Sequence, residues 1–301
     1  MAETVPGPDP EPSDRPPHPQ RVGWTDSPIV AARHIGPLVA AGPSEGHWLL
    51  DLFSQFPVPR LGTGLSLNCG AGDLEFLALQ RGLLARVDGF DPSYDAIEQA
   101  RARALRDRFE TARFEVATAE RALLPEATYD FVLSQFGLHC LADVDGFFER
   151  LRRALRPGAW LILNEYVGPA HYQFDARQLR IVEELCAVLP ARLRRRAVSG
   201  EVKQFHAPLP LAHFEQHAPL EGVSSRRILP ALERRFEVVA RRDYGGSLLN
   251  PLLEGIVANF SDAEESDRAL LELLALCERL LLREAGLPSD FSVLVARVRE
   301  S

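Results

Sequence analysis

From Leu61 onward the chain alternates short apolar runs with amphipathic stretches, and nothing else in the sequence restricts the fold as much. The runs LSLNC (65–69), ARVDGFD (85–91), ARFEVAT (112–118), YDFVLSQF (129–136) and AWLILNEY (159–166) read as strands. Between them, DLEFLALQRG (73–82), PSYDAIEQARARALRDRF (92–109) and DVDGFFERLRRALRPG (143–158) read as helices. Pro92 suits a first helical turn, where a missing N–H costs nothing. Pro157 and Gly158 suit a helix stop. Strands that alternate with helices imply parallel crossovers and a doubly wound α/β sheet.

The regions around this core read differently. Residues 1–25, with PGPDPEP and RPPHP, lack the apolar surface to fold alone and read as a disordered Pro-rich tail. Residues 26–60 carry helical periodicity in IVAARHIGPLVA and HWLLDLF. Residues 61–169 form the core. Residues 170–228 depart from the alternation and read as a helical cap. Residues 229–301 return to strands, ERRFEVVARRDY (233–244) and DFSVLVARVR (290–299), with helices over 245–260 and 267–284 inserted. Leu248, Leu249, Leu252, Leu253 and Ile256 make an apolar helical stripe, which reads as core.

The formal net charge of −8 argues against a nucleic-acid partner, because phosphate binding needs a positive footprint. RLRRR (192–196) reads as a solvated helix end. Cys69, Cys140, Cys186 and Cys277 are far apart with no CxxC spacing, so a disulfide framework or a cysteine zinc motif is not expected, and a reducing cytoplasm fits. No apolar run approaches membrane-spanning length, and the N-terminus lacks a signal-peptide pattern.

The chemistry concentrates at strand ends. In an open α/β sheet, ligands sit beyond the carboxyl ends of the strands near a topological switch point. NCGAG (68–72) lies at such an end. Gly70 and Gly72 permit a tight turn and a close approach of ligand to backbone. The pattern is not GxGxxG: Asn68 replaces the first glycine and Glu75 the third, and no GKS or GKT follows, which excludes a P-loop. Asp91 ends the next strand, where a carboxylate can accept hydrogen bonds from ribose hydroxyls. It can equally cap the helix opened by Pro92 and Ser93.

These segments resemble the class I S-adenosylmethionine-dependent methyltransferases. LSLNCGAG matches the glycine motif, VDGFDPS the ribose acid, FEVATAERALLPEATYDFVLSQFGLHCL the third and fourth strands, and ALRPGAWLILNEYVGP the helix, turn and fifth strand. NEYVGP, RRDYGG and PSDF are similar to features of a bacterial subgroup. The resemblance implies a Rossmann-like, seven-stranded, mostly parallel sheet with an antiparallel last strand and helical cap insertions. It implies S-adenosyl-L-methionine as cofactor. Asn68, Gly70, Ala71 and Gly72 would pass under its methionine part, Asp91 would hold the ribose, and Pro92 and Ser93 would lie along the adenine. Thr118 stands where the family often has an acid for the adenine amine, with Ala119 and Glu120 following. Gln135 and Phe136 would face the methyl group.

An oxygen or nitrogen acceptor usually needs its proton removed. Candidate bases at strand ends are His139, Glu165 and His171, each with an ordinary structural reading beside the catalytic one. Tyr166, Tyr172 and Tyr244 could bond an acceptor or simply pack. His213 and His217 have i, i+4 spacing with His206 nearby, but HFEQH is not HExxH, so no metal is assigned. The expected activity is methyl transfer to a small-molecule or glycan acceptor, most often at oxygen in this family, by a cytoplasmic protein that can form a homodimer. The alternatives are a non-catalytic scaffold on the same fold and an NAD(P)-dependent oxidoreductase.

Overall fold

The computed structural model describes residues 23–40, 47–197, 199–204 and 209–299. Most of the Pro-rich tail and His206 lie outside the described residues. Trp24, at the tail's expected end, sits in a short 3-10 turn and is buried.

Seven strands form one sheet: β1 (Gly62–Leu67), β2 (Leu84–Asp91), β3 (Ala112–Val116), β4 (Tyr129–Gln135), β5 (Leu155–Tyr166), β6 (Glu237–Gly245) and β7 (Phe291–Arg297), in spatial order β3-β2-β1-β4-β5-β7-β6. The pairs β1–β2, β2–β3, β1–β4 and β4–β5 are parallel, and β7 runs antiparallel to both β5 and β6. Strand order reverses between β1 and β4, so their carboxyl ends flank the switch point.

The helices are α1 (Asp73–Gln80), α2 (Tyr94–Arg106), α3 (Val144–Ala154), α4 (Ala176–Val188), α5 (Leu211–His217), α6 (Ile228–Arg235), α7 (Leu249–Leu253) and α8 (Glu265–Glu284), with short helical turns between Trp24 and Ser54. Their starts follow from local chemistry. Ser93 Oγ accepts from Ala96 N at the start of α2, and Asp143 Oδ1 accepts from Gly146 N at the start of α3.

Two cores sandwich the sheet, as period-2 strands require. Phe131, Leu133 and Ile162 face the side covered by the N-terminal turns, α4, α7 and α8. Val132, Leu161 and Leu163 face the side covered by α3 and α6. The leucine stripe 248–256 is core: its five residues are at most 2% exposed.

Some boundaries differ from the sequence reading. Helix α3 stops at Ala154 because Leu155 already pairs with Tyr129, and Pro157–Gly158 form an irregularity inside β5. Only Leu249–Leu253 of 245–260 is α-helical, and Gly255, at φ 74°, turns the chain before a 3-10 turn over Val257–Asn259. The segment 192–196 is a turn beyond α4 rather than a helix end, and Arg192 there pairs with Asp267 at 2.5 Å. No helix among the described residues is long and apolar enough to cross a membrane.

Candidate functional site

The chain leaves β1 through two left-handed residues, Asn68 (φ 53°) and Gly70 (φ 53°), and enters α1 through a third, Gly72 (φ 79°). The two glycines serve different ends. A Cβ on Gly72 would lie 2.9 Å from both Phe76 and Phe114, so this glycine lets α1 pack on the aromatic pair beneath it. A Cβ on Gly70 would meet nothing within 4 Å. Open space therefore abuts the backbone at Gly70, and side chains do not fill it.

Asp91 stands beside that space. Its Oδ2 accepts from Gly70 N at 3.0 Å and its Oδ1 from Ser93 N at 2.8 Å. The carboxylate thus ties the glycine loop to the turn before α2, and each oxygen keeps a further lone pair for a ligand hydroxyl. Pro92 and Ser93 are exposed along the same rim. Beneath the loop, Cys69 is pushed up by burial and by the nearby Glu75 and Asp91 carboxyls, which keeps it a neutral thiol. Glu75 turns inward and accepts from Ser66 Oγ at 2.5 Å; burial raises it to about 7. It fills the place of a third glycine by going under the loop.

After β3, Thr118 opens a turn, its carbonyl accepting from Arg121 N and Ala122 N. Thr118 and Glu120 are exposed and Ala119 is buried. Arg150 of α3 locks this turn by donating to the carbonyls of Ala119, Glu120 and Ala122. Nothing in the local sequence pointed to Arg150, because its partners lie in another loop.

The loop after β4 closes the other side of the switch point. Gln135 pairs with Asn164 in the sheet, and Phe136 takes φ 56°, its N–H donating to Asn164 O at 2.9 Å. Left-handed backbone at a non-glycine residue is costly, and it recurs here at Asn68 and Phe136 on adjacent strand ends. The two loops touch: a Cβ on Gly137 would lie 2.9 Å from Asn68 Cγ.

Glu165 organises this loop. It is fully buried at the end of β5. Its Oε1 accepts from Ser134 Oγ (2.9 Å), Gly137 N (3.0 Å) and Leu138 N (3.1 Å), and its Oε2 lies 3.3 Å from His139 Nδ1. Burial pulls the His139 pKa down, but hydrogen bonds to Cys140 and Glu165 outweigh it and raise the group to about 10. His139 is therefore a cation at neutral pH, paired with a carboxylate already in use.

His171 lies in a left-handed turn (φ 51°), with its ring 5.5 Å from Phe214. Its Nδ1 is buried without a hydrogen-bond partner. The three sequence candidates gather around one wall: His139 meets the Tyr166 ring at 5.9 Å, Tyr166 meets Tyr172 at 4.7 Å, and His171 and Tyr172 share Phe214. The tyrosine hydroxyls are all committed: Tyr166 to Pro169 O, Tyr172 to Glu221 and Tyr244 to Asn164. Phe291, opening β7, joins the rings of Trp24, Phe136, Tyr166 and Tyr244 within 5.9 Å. This aromatic wall draws on both ends of the chain, so no local motif announces it.

The His213 and His217 rings do lie 4.8 Å apart, tilted by 51°, but no third ligand joins them among the described residues. A cleft of about 330 Å³ beside Arg226, Pro230 and Arg241 shares no residue with the cofactor candidates.

Known proteins match where this geometry lies. A methyltransferase-domain family model matches residues 65–163. The 2-phytyl-1,4-naphtoquinone methyltransferase of Trichormus variabilis is 29% identical over 134 residues, 44% of this chain and 58% of that protein. The trans-aconitate 2-methyltransferase of an Azoarcus species is 29% identical over 175 residues, 56% of this chain and 60% of that protein. The chain thus spans about six-tenths of these relatives' length. A solved geranyl diphosphate methyltransferase shares the fold at TM-score 0.51 and 15% identity, covering 83% of this chain and 77% of its own. The glycine turn, the strand-end acid and the switch point all fall in the matched segment, and the open space at Gly70 suits a ligand laid against backbone. Residues 65–163 are thus similar to a methyltransferase domain, on the fold of the class I S-adenosylmethionine-dependent methyltransferases.

Proposed function

We propose that this protein transfers a methyl group from S-adenosylmethionine to a small-molecule acceptor, at oxygen. The observation that carries the cofactor half is the open, left-handed backbone at Gly70 beside Asp91, at the switch point of a methyltransferase domain. The cofactor supplies a sulfonium-activated methyl group. The chain's part is alignment, exclusion of water and proton management. Asn68 to Gly72 would carry the methionine portion and Asp91 the ribose. Pro92, Ser93 and the turn at Thr118, Ala119 and Glu120 would border the adenine, and Gln135 and Phe136 the methyl side.

The relatives' printed names include a naphthoquinone and trans-aconitate, both small molecules. Phe136 and Tyr172, half-buried and backed by the buried rings of Tyr166 and Phe291, would offer an apolar surface to such an acceptor. Among the base candidates, Glu165 has its oxygens committed and His139 is held protonated. His171 keeps a ring nitrogen without a partner, and we assign it the acceptor's proton. Four free thiols accord with a reducing cytoplasm.

Calorimetric titration with S-adenosylhomocysteine, with NAD as control, tests this reading. Micromolar binding of the first and none of the second is expected. Preference for NAD would install the oxidoreductase, and binding of neither would leave a scaffold. Once an acceptor is found, His171→Ala should lower kcat by about 10²–10⁴-fold, the usual range for a general base, without altering cofactor affinity. An unchanged kcat would remove His171 from the chemistry.

A further inference from the structure

The loop after β4 and the segment after α5 bring together three ligand-type side chains. His139, Cys140 and Glu221 each place a nitrogen, sulfur or oxygen atom within 4.8 Å of the others. Two come from adjacent residues of one loop and the third from the cap, far along the chain.

A second set of side chains braces the three. Glu165 Oε2 lies 3.3 Å from His139 Nδ1, so with a proton on Nδ1 the lone pair of a neutral imidazole falls on Nε2. Tyr172 donates its hydroxyl to Glu221 Oε1 at 2.8 Å and leaves Oε2 free of it. A carboxylate behind a histidine, and a hydroxyl behind a carboxylate, are the outer partners that orient metal ligands.

We infer that His139, Cys140 and Glu221 form a binding site for a divalent transition metal, with zinc the best match. Imidazole and thiolate select zinc-like ions over magnesium or calcium, which take oxygen. Tetrahedral zinc bonds of about 2.0–2.3 Å set ligand atoms about 3.3–3.8 Å apart, so atoms now within 4.8 Å of one another must draw about 1 Å closer. Cys140 is only half-buried, which leaves its side chain room to move toward the other two. The arriving ion displaces the proton on His139 Nε2 and the Cys140 thiol proton to solvent as the metal–nitrogen and metal–sulfur bonds form. Three protein ligands leave a fourth position for water or an acceptor heteroatom, the pattern of an open rather than a structural zinc site. The ion would also tie the cap segment to the loop whose Gly137 abuts Asn68. The site stands independently of the methyl-transfer reading.

Cobalt(II) is the probe. The full chain, stripped of metal with a chelator, is titrated with Co²⁺ and followed by absorption. One equivalent should produce tetrahedral visible bands and a near-ultraviolet thiolate-to-cobalt band, and Zn²⁺ should displace both. Cys140→Ser should abolish the thiolate band, Glu221→Gln should weaken Co²⁺ binding, and Tyr172→Phe should weaken it by about tenfold, as loss of an outer partner does. A double His213→Ala, His217→Ala variant should bind as the parent does. Circular dichroism of each variant separates misfolding from ligand loss. The proposal is overturned by a spectrum without the thiolate band, by binding that survives Cys140→Ser and Glu221→Gln unchanged, or by binding lost in the double histidine variant. S-adenosylhomocysteine affinity, measured separately on metal-free protein, reports on methyl transfer without touching this result.

Discussion

The two sides of the switch point are built on opposite plans. On the β1–β2 side, the chain exposes backbone: Gly70 faces open space, and one half-exposed carboxylate, Asp91, ties the turn together with two short hydrogen bonds. On the β4–β5 side, a fully buried carboxylate, Glu165, accepts three donors on one oxygen and pairs with a charged histidine on the other, while aromatic rings close the surface. The first side is a cradle for something that brings its own polar groups. The second is a rigid floor whose carboxylate is already satisfied. A methyl donor needs the former. An acceptor that must be desolvated and aligned needs the latter.

The two sides differ most at Gly70. Gly70→Val should abolish S-adenosylhomocysteine binding in a folded protein, because the side chain enters the space the ligand needs. The control is Gly82→Val. Gly82 has the same left-handed conformation (φ 63°) and the same emptiness within 4 Å, but it lies in the turn after α1. Both variants carry a left-handed strain of about 1–2 kcal/mol, so a common loss of stability with cofactor binding lost only in the first isolates the steric effect. Equal binding by both would mean that the glycine loop is only a turn.

How much of this was legible follows from how each side is encoded. NCGAG and the Asp91 strand end are contiguous, and their function depends on backbone conformation that glycine announces. The strand–helix alternation likewise gave the sheet, since each element signals itself locally. The acceptor side was legible only in fragments. Glu165, His139 and His171 were candidates by position, but the hydrogen bonds that distinguish them come from Ser134, Gly137 and Leu138. Arg150, Cys140, Glu221 and Phe291 gave no local signal, because their roles arise only when distant loops meet. The early stop of α3 was missed for the same kind of reason: Leu155 is claimed by its partner strand, a tertiary demand that overrides helical periodicity.

A smaller effect is expected at Asp91, where the cradle's polar contact can be weakened without filling the space. Asp91→Ala should cost cofactor binding about 1.5–3 kcal/mol, the scale for a hydrogen bond to a charged group, or roughly 10- to 150-fold in Kd. Asp91→Asn should cost less, because an amide oxygen can still accept from Gly70 N or Ser93 N. Calorimetry reads both. Unchanged affinity in the alanine variant would assign Asp91 to helix capping alone.

The smallest effect belongs to the rigid floor and appears as a pH dependence of stability. His139 is raised from the ordinary histidine value of 6.5 to about 10. A basic group with a raised folded-state pKa stabilises the fold fully below its unfolded pKa, because the folded protein then holds a proton as tightly as it can. Above that value the unfolded chain releases the proton first, and the advantage drains away until the folded group also titrates. The contribution should therefore be intact below about pH 6.5 and lost as pH rises toward 10. Lys203, lowered by burial to about 8, acts in the opposite sense over the upper part of that window, so the raw melting curve mixes the two. The informative quantity is the difference in melting temperature between the parent and His139→Gln. It should be largest below pH 6.5 and shrink steadily above it. A difference that instead grew as pH rose to about 6.5 and then stayed level would mean that His139 is neutral in the folded protein. The floor would then hold its shape through the bonds from Ser134, Gly137 and Leu138 to Glu165 without an ion pair, and His139 would be free to take a proton from the acceptor.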